Sequence, residues 1–355
     1  MSVYLMNGLS GITNIIEIYE SVIWNTQFYG FNDFEMIVPL TSEMLNIMEP
    51  GKLLVRDVDI KPSGEYHNVM QIENITISFS PEKGWQLKVS GGGLKKIASQ
   101  RVVWSQSNFE STNVETAIRS IITNNIINPS DTNRKISNFV LADAAGFTDT
   151  FDAQVFGENV GEWVQATCET YGYGWDIYIK NGKYVFTLIK GTDRTYNQSA
   201  VDPVVFSQEY DNLISAEYNY QKSEYHNAAL IGGEGEGTDQ VVTSVGSASG
   251  LDRHEIYVDG GSVSSNGEII TLATYISMLQ TYGQEQLTGS SFLEKFTGEI
   301  IQNGMYTLNT DYFLGDKVNI IFQGIKAVSR IIELIYSEDS NGINLLPTFS
   351  EWEVQ

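Results

Sequence analysis

At 355 residues the chain is long enough for two or three hydrophobic cores rather than one. Its 44 acidic against 21 basic residues leave a net charge of −23, which excludes adhesive nucleic-acid binding through phosphate neutralisation and disfavours an anionic membrane surface. Hydrophobic content of 42% and aromatic content of 12% exclude disorder, and abundant Tyr and Phe beside only seven Pro favour β structure.

The one cysteine, Cys168, rules out an internal disulfide framework and falls on the apolar side of a predicted helix, as a core residue does. No basic segment precedes an apolar one at the start, and no apolar run approaches membrane-spanning length, so the chain reads as made and folded in the cytosol.

Residues 1–104 read as nearly all β. Extended runs cover 12–23 and 28–38, a short helix covers 41–48 before Pro50-Gly51, and the strand pattern resumes over 52–60. Over 69–79 Met70, Ile72, Ile75, Ile77 and Phe79 alternate with a phase change near Glu73-Asn74, which predicts a bulge. The turn Pro81–Gly84 then leads into a partner strand over 85–89. Strands this short suggest a small barrel or sandwich.

The pattern changes over 105–200. Thr112 followed by Glu115 is a capping-box spacing, and Val114, Ala117, Ile118, Ile121 and Ile122 then mark one buried helical face. A second helix starts at Asn159, buries Val160, Trp163, Val164 and Cys168, and ends at Tyr171-Gly172. A hairpin follows, with strands 175–179 and 184–189 around Asn181-Gly182.

From 201 to 259 the chain is β-rich again. Ile214, Ala216, Tyr218 and Tyr220 share one strand face opposite Ser215, Glu217 and Asn219. A polar break over 221–226 and a short apolar run over 227–231 follow. A helix is predicted from Glu268 to about Leu293 with Leu272, Tyr275, Ile276, Leu279 and Tyr282 inward, and a break near Gly283 or Gly289. Strands at 296–301 and 306–308 precede a hairpin of 318–322 and 325–336 about Gln323-Gly324. The last segment, 344–355, reads as an edge strand or exposed arm.

Few residues suggest chemistry. The loop Gly232-Gly233-Glu234-Gly235-Glu236-Gly237 has phosphate-loop glycine spacing, but its glutamates and missing Lys make it a connection between strands. His67, His226 and His254 are scattered without metal spacing, and a turn explains Asp316 as well as a metal would. Tyr171, Tyr173, Trp175 and Tyr178 could stack on a sugar, although a helix–hairpin seam uses the same residues. No catalytic, cofactor-binding or metal-binding residue is assigned.

The ordered set of motifs resembles the ReqiPepy-type siphophage tail protein family. It runs from Ile18-Tyr19-Glu20-Ser21-Val22-Ile23-Trp24 through Pro50-Gly51, Arg101-Val102-Val103-Trp104, Asn125–Pro129 and Tyr210-Asp211-Asn212-Leu213. It continues through the glutamate–glycine loop, Ser249-Gly250-Leu251-Asp252-Arg253 and Phe313-Leu314-Gly315-Asp316-Lys317. The resemblance implies a tail-tip or baseplate hub, similar to that of contractile tails, and mainly β with an α+β insert. Two tube-like barrels are expected: the first from 1–104, an α+β module over 105–200, a β-rich connection over 201–265, and a helix with hairpins over 266–355 completing the second.

On this reading the protein is not an enzyme and takes no cofactor. It forms a homotrimeric ring at the virion tail tip, with the tail-tube or distal tail protein, other tail-tip proteins and the tape-measure protein as partners, no membrane, and DNA only in transit. Carboxylates on strands, Glu217, Glu255 and Glu333, are candidates for an acidic channel wall. The alternative is a carbohydrate-binding module or glycan-active enzyme using the Tyr171–Tyr178 aromatics.

Overall fold

A computed structural model describes residues 1–221, 225–267, 269–290, 293–300, 304–350 and 353–354; at 214–216, 218–221, 293–299, 325 and 353–354 it describes the backbone alone. The expected inward face of Ile214, Ala216, Tyr218 and Tyr220, the polar break through 222–224, the helix start at Glu268 and the ends of the last strands therefore lie outside the described residues.

The first part contains β1 (Val3–Met6), β2 (Ile12–Ile16), β3 (Ser21–Gln27), β4 (Asp33–Pro39) and α1 (Ser42–Ile47), then β5 (Leu53–Arg56), β6 (Glu65–Tyr66), β7 (Met70–Ser80) and β8 (Gly84–Gly93). The run expected over 12–23 is two strands interrupted at 17–20. The one expected over 52–60 stops at Arg56, where a 3-10 turn lets Asp59 reach back to the Arg56 guanidinium at 2.6 Å. Thr41 caps α1 by accepting from the Met44 amide. The bulge predicted near Glu73-Asn74 is present as a register shift between Ile72 and Asn74.

Next come β9 (Ser107–Asn113), α2 (Val114–Ile122), β10 (Phe139–Leu141), β11 (Thr150–Val155), α3 (Val160–Tyr171), β12 (Gly174–Lys180) and β13 (Lys183–Ile189). The predicted α2 face is fully buried. Its cap differs from the predicted box: the Asn113 side chain accepts from the Thr116 amide, and Glu115 turns away. The Glu115 carboxylate instead accepts the amides of Ala145, Gly146 and Phe147, three donors that a returning box bond could not match. Asn159 caps α3 and Gly172 ends it at φ +69°. Asn181 and Gly182, at φ +51° and +69°, make the two-residue turn between β12 and β13.

The remainder contains β14 (Val205–Ser207), β15 (Leu213–Gln221), β16 (Ala228–Gly232), β17 (Val242–Val245), β18 (Glu255–Asp259), α4 (Leu272–Gly289), β19 (Leu293–Ile300), β20 (Lys317–Phe322), β21 (Ile325–Asp339), β22 (Gly342–Phe349) and β23 (Glu353–Val354). α4 runs through Gly283 and ends at Gly289, the second of the two expected positions. A Cβ at 283 would lie 2.6 Å from the Ile231 side chain, so this glycine serves close packing on β16. No strand forms at 306–308, where only a bridge joins Leu308 to Tyr312. β22 is not an edge: it lies between β19 and β21, because β21 is long enough to pair with it beyond its pairing with β20.

The two β-rich ends are one sheet. Its strand order is β15-β19-β22-β21-β3-β4-β8-β7-β5-β1-β2, and the link is the antiparallel pairing of β21 with β3, from Glu333↔Gln27 to Glu338↔Val22. Among the described residues this path is open, with β15 and β2 as its ends, rather than two separately closed barrels. β12 and β13 belong to a second sheet with β6 and β10, whereas β16–β18 form a third that packs on α4.

The corner after β3 locks these parts together. Lys95, buried on a 3-10 helix over Leu94–Gln100, donates to the carbonyls of Gln27 (2.6 Å), Phe28 (3.3 Å) and Gly30 (2.9 Å), and its ammonium lies 5.2 Å from the Trp175 ring centre. The Trp175 indole donates to the Tyr29 carbonyl at 2.5 Å, and the Phe28 amide to the Ile332 carbonyl at 2.8 Å. The Phe28 ring fills the spaces where Cβ atoms at Gly174 and Gly315 would stand. Burial pulls the Lys95 ammonium down to about 8, partly offset by Asp176 and Cys168.

α4 meets α3 through a different group. Glu285 of α4 has a carboxylate oxygen, Oε1, shut from solvent with no hydrogen-bond partner among the described residues. Burial first, and the neighbouring Glu158 second, push its pKa up to about 8, and burial pushes Glu158 up to about 7. Both folded pKa values lie above the ordinary carboxyl range, so the folded chain holds protons that the unfolded chain has released. Stability is therefore full below about pH 4.5 and falls as pH rises through 7–8.

Two predictions follow from these buried groups. Lys95→Ala, which orphans buried carbonyls, is expected to cost about 3 kcal/mol in urea unfolding. Glu285→Gln, which cannot ionise, is expected to raise stability at pH 8 by roughly 1–2 kcal/mol while changing little at pH 5. Equal effects at both pH values would show that Glu285 ionisation plays no part.

Candidate functional surface

Over β21, β3, β4, β8 and β7 the open sheet has one packed and one solvated face; at β5 and β1 the second face is covered, with Leu53, Val55 and Met6 buried in the core of the helix–hairpin module. Val22, Trp24, Phe34, Met36, Val38, Leu87 and Val89 point to the packed side. Cross-strand register places Glu333, Ile335 and Ser337 of β21 with Gln27, Asn25 and Ile23 of β3, then Asp33 and Glu35 of β4, then Ser90 and Lys88 of β8 on the other side. Thr76 and Ser78 of β7 continue it. These side chains are exposed or half-buried, the alternation of an antiparallel sheet with one solvated face.

The carboxylates here are partly compensated. Glu35 pairs with Lys88 at 2.6 Å and Glu73 with Lys96 at 2.8 Å. Glu333 accepts from Gln27 (3.3 Å) and Thr348 (2.8 Å), while Asp33 accepts from Asn25 at 3.0 Å. Burial raises the Asp33 carboxyl, the Asn25 bond opposes it, and the Glu333 charge adds to the rise. The centre of the face is thus a mildly acidic strip of Asp33 and Glu333 among amides and hydroxyls.

The residues singled out from sequence are placed as follows. Glu333 lies on this face, and Glu217 is exposed on β15 of the same sheet. Glu255 is elsewhere: it lies on β18 of the third sheet and pairs with Arg253 at 2.5 Å. Cys168 is fully buried, and burial drives its thiol far above the range where it ionises. Asp316 orders a turn, accepting from the amides of Thr192 and Phe313 and pairing with Arg194 at 2.7 Å.

The glutamate–glycine loop is held by its own acid. Glu234 accepts from the Ser264 and Ser265 hydroxyls (both 2.6 Å) and the Ser265 amide, bonds that lower its carboxyl despite burial. His67 stacks on Tyr178 at 4.5 Å and reaches Asp176 and Glu65, and His254 lies against Tyr225. Among the described residues no three His, Cys, Asp or Glu side chains are grouped to hold a metal ion.

The aromatic group is divided. Tyr173 and Trp175 are buried, Tyr178 faces His67, and Tyr171 leans toward Tyr173 with ring centres 6.0 Å apart. Lys95 is the residue that sequence reading missed. A lysine beside a second lysine reads as solvated, and only the preceding Gly91-Gly92-Gly93 hints at close approach.

The family model for the Siphovirus ReqiPepy6 Gp37-like protein matches residues 2–349. No curated protein matches the chain. Among solved structures, the chain is similar in fold to the tail protein from Neisseria meningitidis MC58 (15% identity, TM-score 0.59, covering 99% of this chain and 96% of that one). It is also similar to the 43 kDa tail protein of prophage MuSo2 from Shewanella oneidensis (10%, 0.60, 99% and 98%). A third is the prophage tail protein gp18 from Listeria monocytogenes EGD-e (10%, 0.53, 98% and 94%). No helix among the described residues is long and apolar enough to cross a membrane.

Neutralising one carboxylate tests the coupling across the uncovered face. In Glu333→Gln, the Asp33 carboxyl is expected to titrate at lower pH, followed by carbon-detected NMR. An unmoved Asp33 would mean that the two charges do not sense each other.

Proposed function

We propose, for a chain that belongs to the Siphovirus ReqiPepy6 Gp37-like family, a structural and non-enzymatic role in a phage tail. In this role it is a homotrimeric tail-tip hub that joins the tail tube to the tip and bounds the channel for DNA and the tape-measure protein. The observation that carries the proposal is the open sheet, with a solvated polar face over β21, β3, β4, β8 and β7 and, among the described residues, two unpaired ends. A sheet of this kind is completed by copies of itself, in a head-to-tail contact that closes a ring. The likeness in fold to three tail proteins over nearly their whole lengths supports the same reading.

The segment 1–104 supplies one tube-like unit, 201–265 is the β-rich connection, 266–355 completes the other unit, and 105–200 decorates the ring. Tail-tube or distal tail protein and other tail-tip proteins are its partners.

The β2 edge favours such closure. Ile12–Ile16 carries no charge and no proline, and Ile12 and Ile15 are 40% and 52% exposed, so nothing guards its outer edge against a further strand. On a chain of net charge −23, an uncharged edge is where a second copy can approach. The uncovered face then becomes the channel wall. Its carboxylates, Asp33 and Glu333 with Glu217 beyond them, repel passing DNA only within about 8 Å at physiological salt, so outer-surface acids cannot substitute.

Light scattering and electron microscopy test the assembly. We expect trimers, at least beside the tube partner, and loss of trimer in Ile15→Glu, whose site is too exposed to unfold the chain. Monomers alone, with tail-tube protein present, would sink the proposal. Converting Asp33 and Glu333 to Lys is expected to slow DNA ejection from assembled particles, and normal ejection would leave the acidity a matter of solubility alone.

A further inference from the structure

The third sheet is one layer short of a sandwich. Its strands lie in the order β17-β16-β18, and α4 covers one face through Ala229, Ile231, Val258, Tyr275 and Leu279. The register puts Leu230 beside Ser244 and Tyr257, and Gly232 beside Val242 and Asp259, on the opposite face. There Leu230, Val242 and Tyr257 are 49%, 47% and 58% exposed. Single exposed apolar residues are common, but these three are cross-strand or diagonal neighbours and form one continuous surface.

Two further features shape this surface. A Cβ at Gly232 would lie 2.2 Å from the Tyr257 hydroxyl and 2.8 Å from the Gln240 amide nitrogen. The Tyr257 side chain therefore reclines diagonally over the glycine and broadens the apolar face. Leu251, on the 3-10 turn that precedes β18, is 99% exposed. This turn is not loose. The Asn227 side chain donates to the Asp252 carbonyl at 2.7 Å and accepts the His254 amide at 2.8 Å, while Arg253 donates to the Ala248 carbonyl at 3.0 Å. A bonded frame thus holds the leucine outward, as it would an anchor for a partner.

Charge limits what can cover the face. Between 226 and 259 there are six acids and one base, Arg253. Glu255 and Asp259 are exposed on the outer side of β18, Glu236 and Asp239 in the loop joining β16 to β17, and Asp252 in the turn before β18. Among the described residues only Glu255 of these five has a base in ion-pair reach, Arg253 at 2.5 Å. Such a rim repels a second copy of net charge −23 and an anionic lipid surface alike. Shape narrows the partner further, because three strands span roughly 10 Å, about the width of one helix.

We propose that this face docks an amphipathic helix of another tail protein, with an apolar stripe bordered by Lys or Arg. The inference rests on a role in a phage tail and not on the ring, since none of these residues lies on the β2 edge or on the sheet through β3 and β21.

Titration of the full chain with labelled helical peptides of about 18 residues, five turns, tests the face by fluorescence anisotropy. One peptide carries a leucine stripe bordered by lysines, one has glutamate for lysine, and one keeps the leucine–lysine composition in scrambled order. The lysine peptide is expected to bind, the glutamate peptide not at all, and the scrambled one about tenfold more weakly. Leu251→Ser and Tyr257→Ser, both at exposed positions, are expected to weaken the lysine peptide about tenfold at an unchanged melting temperature. Ile77→Ser, at an exposed apolar position on β7, is expected to leave it unchanged. Absence of binding, equal binding of the scrambled or glutamate peptide, or wild-type affinity in Leu251→Ser and Tyr257→Ser would overturn the site. Self-association that Leu251→Ser abolishes would assign the face to a second copy and overturn the choice of partner. Both variants are expected to form the same trimer as the unaltered chain, so absence of a trimer counts against the ring and not against this face.

Discussion

One buried cation organises the molecule. The Lys95 ammonium gathers three carbonyls of the corner at Gln27, Phe28 and Gly30, and that corner touches both the helix–hairpin module and β21. Through Trp175 it holds the helix–hairpin module, and through the Phe28 amide and ring it holds β21 and Gly315. A buried charge without a carboxylate partner costs desolvation, which is visible in its lowered pKa. The carbonyls offset that cost because each would otherwise be buried unpaired. The arrangement thus ties three segments far apart in sequence to one point.

With the corner fixed, β3 and β21 are brought side by side, and two β-rich ends become one sheet. One face packs its large apolar residues, and over β21, β3, β4, β8 and β7 the other is left mainly to amides, hydroxyls and a few carboxylates. Bases are scarce, so the places where they appear carry meaning. Lys88 and Lys96 balance acids on the solvated face, whereas Arg330 donates to the carbonyls of Lys190 and Gly315. The half-buried Glu158 and Glu285 show a third treatment of surplus acid, in which loss of solvent raises the carboxyl pKa.

What was legible from sequence is local. α2 and α3 were readable because their buried faces recur every three or four residues and Asn159 stands at a cap. The Asn181-Gly182 turn was readable because few residue pairs adopt two successive positive φ angles. Elsewhere local signals misled. Glu115 has capping-box spacing but is drawn to three amides thirty residues away, and the helix glycine Gly283 marks a contact with Ile231, not a break.

The sequence by itself determined the β-rich character, the two short helices, the main hairpins and, through an ordered set of motifs, the family. Each depends on residues within a few positions of one another or on order along the chain. Only the tertiary structure decided that β22 lies inside the sheet, that β3 meets β21, that Lys95 is buried, and that Glu255 stands apart from Glu333. Strand pairing exposes the same backbone groups whatever the partner, so a strand's neighbours are chosen by the packing of the remaining chain and not by its own residues. A lysine's burial likewise depends on distant carbonyls that converge on it, which no local window contains.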